Sequence, residues 1–178
     1  RISLADLPAS SSGLAVWEAR DFVLANEHVA ILIEDVDRSD LYDPWGGRPV
    51  GIARVEEGRL VSAADFGEMF LLEGRFTVLT ESVSVMNDGS DGEAAVVRAT
   101  GWLRPLPFFE NITDGLLRTD LSSFRAAIDY VLEPGSHHVD VFIEHVSGTS
   151  MRLVTPATLH GFLYTDRTPA FVPGVGFS

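Results

Sequence analysis

Residues 125–146 read RAAIDYVLEPGSHHVDVFIEHV, two alternating runs on either side of Pro134-Gly135-Ser136-His137. Alternation with a period of two is the signature of a strand with one buried face. If the four central residues form the loop, Glu133 faces His138. Ala126, Ile128, Tyr130 and Leu132 then share a face with Val139, Val141 and Ile143, and His145 continues it. The other face carries Arg125, Asp129, Glu133, His138, Asp140 and Glu144. A slip of one residue would turn every apolar side chain to the wrong side, so the pairing is strongly specified. A slip of two keeps the faces and stays open.

A second hairpin is expected upstream. Residues 75–86 and 93–103 flank Asn87-Asp88-Gly89-Ser90-Asp91-Gly92, whose residue types tolerate the positive φ of tight reversals. In its first strand the apolar positions change parity, from Phe76 and Val78 to Val83 and Val85. A bulge near Thr80 and Glu81 would absorb the change. Further strands are expected over 17–25, 28–34, 50–55, 59–62, 66–72 and 151–163, with turn residues between nearly all of them. Helical periodicity is scarce, and one turn is expected within 114–123. Many short strands at this spacing give an all-β fold, an antiparallel two-sheet β-sandwich. Residues 1–13 read as a linker or entry arm, and 14–178 as a single β-sandwich domain cut from a longer chain.

The 178 residues carry 13 Arg, no Lys and 26 acidic side chains, a net charge of −13. A nucleic-acid binder needs a basic face, and here the arginines are scattered. An anionic membrane surface is disfavoured for the same reason. No apolar run approaches the roughly 20 residues of a spanning helix. Without Cys, disulfides, thiolate metal sites and Cys nucleophiles are excluded.

Two groups of residues could carry chemistry. His138, Asp140 and Glu144 share one face of a strand, where residues two apart stand roughly 6.6 Å from each other at about 3.3 Å per residue, within reach of a shared ligand; the simpler reading is a solvated outer face. The segment from Asp35 to Gly47 places Asp35, Asp37, Asp40 and Asp43 within nine residues, enough oxygens for calcium but without EF-hand spacing. Asx-type turns explain the same residues. Tyr42 and Trp45 beside these carboxylates suit a sugar, with a ring stacking on its face and oxygens accepting its hydroxyl protons; Trp45 packing on the end of the sandwich is the plainer alternative.

The stretch Ala127–Ser136, with its Leu132-Glu133-Pro134-Gly135-Ser136 turn, followed by His138–Val146, resembles the central hairpin of galactose-mutarotase-like β-sandwich domains. The Pro-Gly loop within 171–177 resembles a loop of some bacterial members. The resemblance covers about fifty residues at the C-terminal end. It implies a large two-sheet supersandwich, here a truncated one, that handles carbohydrate. It assigns the family's His base and Glu acid to no residue of this chain. The resulting expectation is a non-catalytic structural or carbohydrate-facing domain of a larger exported bacterial protein, with the other domains of its chain and carbohydrate as partners. It needs no cofactor, with calcium the one candidate. The alternatives are a carbohydrate-active enzyme of mutarotase-like fold, an isomerase or lyase with His138, Asp140 or Glu144 converging with an Arg on a concave sheet, and a calcium-stabilised adhesion-type module.

Overall fold

A computed structural model describes residues 18–36, 42–61, 66–113, 120–147, 157–163, 171–172 and 176–177. The chain is all-β; its described residues form two larger antiparallel sheets and a two-stranded ribbon. The first has the order β1 (Phe22–Ala25), β2 (Val29–Ile33), β3 (Pro49–Glu56), β4 (Arg59–Val61). The second comprises β5 (Phe66–Glu73), β6 (Phe76–Asn87), β7 (Ala95–Pro105), β8 (Phe124–Leu132), β9 (Asp140–Ser147) and β10 (Ala157–Leu163), in the order β10-β5-β6-β7-β8-β9. The short helix α1 (Pro107–Thr113) follows β7, and β11 (Phe171–Val172) pairs with β12 (Gly176–Phe177).

The β8–β9 hairpin has the register that the four-residue loop implies: Val131 pairs with Asp140, Tyr130 with Val141 and Ile128 with Ile143. Ala126, Ile128, Tyr130 and Leu132 are buried, while Val139, Val141 and Ile143 pack against the same core. The reversal is made by Gly135 at φ +72°, with the Ser136 amide donating to Glu133 O at 3.1 Å. That is the residue order, Pro then Gly, that a type II turn favours.

The β6–β7 ladder shifts register between Thr80 and Ser82, which leaves Glu81 as the extra residue. The shift brings Val83 onto the core side with Val78, as the parity change demands. Val85 departs from expectation: it is exposed, and a second register shift follows it between Val85 and Asn87. In the turn beyond, Asn87, Asp88 and Asp91 each accept an amide two residues on.

The main core joins Phe22, Leu24, Ile31 and Ile33 of the first sheet to Leu71, Val78, Ala99, Leu103, Ile128 and their neighbours of the second. In β2, Ala30 and Leu32 are buried too, with Val50 and Ala53 in a second cluster. A continuous apolar run such as Ala30–Ile33 fits a strand covered on both faces.

Helix α1 stands where the sequence suggested none. It begins at Pro107, with Leu106 O accepting from the amides of Phe109 and Glu110 at 2.8 and 3.0 Å. Proline favours the first helical position because its φ is already set and its missing N–H would have no helical partner there. Of the stretch expected to hold one helical turn, 114–119 lie outside the described residues.

One position limits how closely β6 and β7 approach. A Cβ on Gly101 would stand 2.0 Å from Leu79 O, a backbone atom that cannot turn aside. Gly101→Ala is therefore expected to lower stability by at least about 3 kcal/mol, as severe overpacking does; urea unfolding followed by circular dichroism would measure the loss.

Candidate functional site

Strands β5 and β6 are joined by Gly74 and Arg75, yet they pair only at Glu73 and Phe76 and then part. The segment from Tyr42 to Arg48 bridges the strands that have separated. The Tyr42 and Asp43 amides donate to the Glu68 carboxylate of β5 at 2.8 and 3.3 Å. Asp43 in turn accepts from the Thr77 hydroxyl of β6 at 2.7 Å and from the Trp45 amide at 3.1 Å. Thr80 donates to Gly46 O, and the Tyr130 hydroxyl of β8 donates to Gly47 O, both at 3.0 Å. Gly47, at φ +70°, presses close to β6: a Cβ there would lie 2.6 Å from Thr80 Oγ1.

Arg48 closes this bridge. Its side chain is only 2% exposed. Nε donates to Glu68 at 2.8 Å, and Nη1 to Glu34, just beyond β2, at 2.5 Å. The backbone repeats the link, with Glu34 N donating to Arg48 O and Gly47 N to Glu34 O. One guanidinium thus faces two carboxylates directly, with Asp43 as a third buried acid beside them.

Burial pushes the Glu34 carboxyl up to about 7, against the pull of Arg48, and nearby Asp21 adds to the rise. Asp43 is pushed up to about 6 by burial, opposed by Arg48 and by the Thr77 hydrogen bond. Asp21 is also raised by burial, although the amides of Glu18 and Asp35 that bond to it act the other way. Burial raises the Tyr130 hydroxyl as well, which keeps it a donor to Gly47. A further buried acid, Glu73 at the end of β5, meets His145 of β9 across the interior, Oε1 to Nε2 at 3.1 Å.

The residues singled out from sequence fall into separate places. Asp43, expected as a calcium ligand, turns inward and spends its oxygens on Thr77 and Trp45, so a cation there would have to displace Thr77. Asp35 accepts from the amide of the next residue, Val36, at 2.8 Å. Asp37 and Asp40 lie outside the described residues. No group of three or more metal-ligating side chains stands together among the described residues.

Trp45 is half-buried, whereas Tyr42 is exposed and meets the Phe108 ring of α1 edge to face, 6.3 Å between centroids. Phe109 extends the cluster, 5.4 Å from Phe108. His138 and Asp140 sit at the opposite end of the sheet, both exposed, Nε2 to Oδ1 3.8 Å. Asp140 pairs through Val131 with Val96, near the start of β7, and α1 follows the end of β7. Those ends are roughly 33 Å apart at the rise of a strand. Glu144 lies exposed on the outer face of β9. Nearby Arg98 is held by Asp129 through two hydrogen bonds of 2.6 Å. His138, Asp140 and Glu144 are exposed, Glu144 with the charge of Arg98 near it, while the inward face of the sheet is filled by the apolar core.

Phe108, Arg48, Glu34 and Glu68 were not singled out from sequence. The pair Phe108-Phe109 reads as strand-like, and only Pro107 before it signals a helix start. Comparison with protein-family models, curated proteins and solved structures finds no match.

The buried acids make stability depend on pH. Both carboxyls sit above their ordinary values of 4.5 and 3.8, so the folded chain holds protons that the unfolded chain releases. The stabilisation is fully present below those ordinary values and is lost as pH rises through about 6 and 7. Thermal unfolding between pH 5 and pH 8 should show a falling melting temperature, and Glu34→Gln should flatten the slope and raise stability at pH 8.

Proposed function

We propose that this domain is a non-catalytic β-sandwich module of a larger exported bacterial protein, and that it meets carbohydrate through the aromatic cluster of Tyr42 and Phe108. The exposure of these rings carries the reading. Tyr42 is 45% and Phe108 58% exposed, and they stand edge to face on two different segments. Large rings left in water in a fixed mutual orientation suit the C–H face of a sugar, which stacks on an aromatic surface with little loss of side-chain freedom. Rigid anchoring supports it further, because the Tyr42 amide is bound by the buried Glu68 carboxylate.

The use of charge favours a binding role over catalysis. Glu34, Glu68, Asp43 and Arg48 are engaged with one another and with the backbone, in positions that hold the sheets together. The hairpin resemblance to galactose-mutarotase-like sandwiches points to the same ligand class. The helices of the described residues include none long and apolar enough to cross a membrane.

A glycan microarray probed with the labelled chain, followed by calorimetry on the best glycan, tests the proposal. Tyr42→Ala and Phe108→Ala should each weaken binding about tenfold, the cost of one lost aromatic contact, with the melting temperature little changed. Failure of the wild-type chain to bind any glycan, or equal binding by both variants, would contradict it.

A further inference from the structure

Among the described residues, β9 is the last strand of the six-stranded sheet, and β8 is its only neighbour there. Alternate backbone N–H and C=O groups along its eight residues therefore point away from the sheet. Edge strands of this length are usually protected by Pro, by charged side chains, Lys above all, by a bulge or by a covering segment, and of these β9 carries two acids, Asp140 and Glu144. The β8–β9 ladder has no register shift, and β9 contains neither Pro nor Lys. The sheet curls until Glu73 of β5 touches His145, yet β5 and β9 are not paired, so the curl leaves a seam.

Outward-facing side chains along β9 follow a pattern of their own. Asp140, Phe142, Glu144 and Val146 share one face at intervals of two and are all exposed, Phe142 by 60% and Val146 by 56%. Acid and apolar groups therefore alternate along the edge. The sheet's own arginines place their hydrogen bonds elsewhere: Arg98 is forked onto Asp129, with Glu144 near enough to feel its charge, and Arg125 bonds Glu81 at 2.6 Å while covering the Trp102 ring. Asp140 has the exposed His138 close by, at 3.8 Å.

We propose that the β9 edge binds an extended segment of a partner protein by strand addition, and that one face of this segment alternates basic and apolar side chains. Charge complementarity selects this occupant. Opposite charges directly across a strand pair are favourable and like charges are not. A second copy of a chain with net charge −13 would bring Asp140 and Glu144 near their own kind. An antiparallel segment would set basic residues across from Asp140 and Glu144 and apolar ones across from Phe142 and Val146. Backbone hydrogen bonds would supply affinity and the alternating side chains specificity.

The probe is a fluorescent peptide, Val-Thr-Lys-Thr-Val-Thr-Arg, titrated against the whole chain at low salt and followed by anisotropy. Saturable binding is expected, with peptide-dependent protection of β9 amides from hydrogen exchange. Phe142→Ser should weaken it about tenfold, in line with a lost buried aromatic. Asp140→Lys combined with Glu144→Lys should abolish binding of this peptide and create binding of Val-Thr-Glu-Thr-Val-Thr-Glu. These side chains are exposed, and circular dichroism would confirm that the variants fold. The proposal is overturned by absence of saturable binding, by equal affinity for the charge-reversed chain, or by protection elsewhere than β9. It is also overturned if sedimentation shows that β9 pairs with a second copy instead.

Discussion

Among the described residues, Arg48 is the one cation in a pocket of buried acids, and the geometry of both sheets converges on it. It reaches Glu34 beyond β2 with one nitrogen and Glu68 on β5 with another, while its own backbone extends the β2–β3 ladder. Removing two charges from water is costly, and their attraction offsets that cost only when the hydrogen bonds are complete. Here they are numerous: Glu68 accepts from Arg48 and from two backbone amides, and Asp43 from a hydroxyl and an amide. The arrangement follows from topology. Once β5 leaves β6 after a single residue pair, residues 42–48 enter beside β6 and take the hydroxyl hydrogen bonds of its Thr77 and Thr80.

This network also determines what the surface can offer. Because Glu68 binds the Tyr42 amide, an interior carboxylate fixes the place from which an aromatic ring enters solvent. Phe108 comes to the same place from the far end of β7, through a helix that Pro107 starts. At the other end of the molecule the sheets are tied differently. Asn26 donates to Ser136 O at 2.7 Å, and the rings of His28 and His137 stack with centroids 3.9 Å apart. The long axis of the sheet keeps the two ends apart, and with them the two groups of residues that sequence alone had suggested as ligand contacts.

The parts of the fold legible in the sequence were those written locally. Period-two alternation identified the β8–β9 hairpin and its faces, and a change of parity located the bulge at Glu81. Pairing of β10 with β5 had no such signal, since residues 157–163 and 66–73 are remote in sequence and the contact is made by backbone. The buried network was hidden for the same reason. Glu34, Arg48 and Glu68 are separated by 14 and 20 residues, and nothing distinguishes a charged side chain at a strand end that will be buried from one that will be solvated. Asp43 shows the ambiguity most plainly. In sequence it belongs to an acidic loop, and in the fold it is a buried acceptor for Thr77. Tyr42 was legible as an exposed aromatic, but Phe108 opposite it was not, because a Phe pair after a strand carries no helical periodicity.

If Arg48 holds the sheets together, replacing it with a side chain of similar length and no charge should be far more damaging than an ordinary loss of packing. Urea unfolding of Arg48→Met at pH 7.5 is the most direct measurement. The expected result is a loss of about 3–5 kcal/mol, since breaking a buried pair strands the remaining carboxylates without their cation, and adding Glu34→Gln and Glu68→Gln should recover part of it. A loss below about 1 kcal/mol, the scale of an exposed ion pair, would contradict the account.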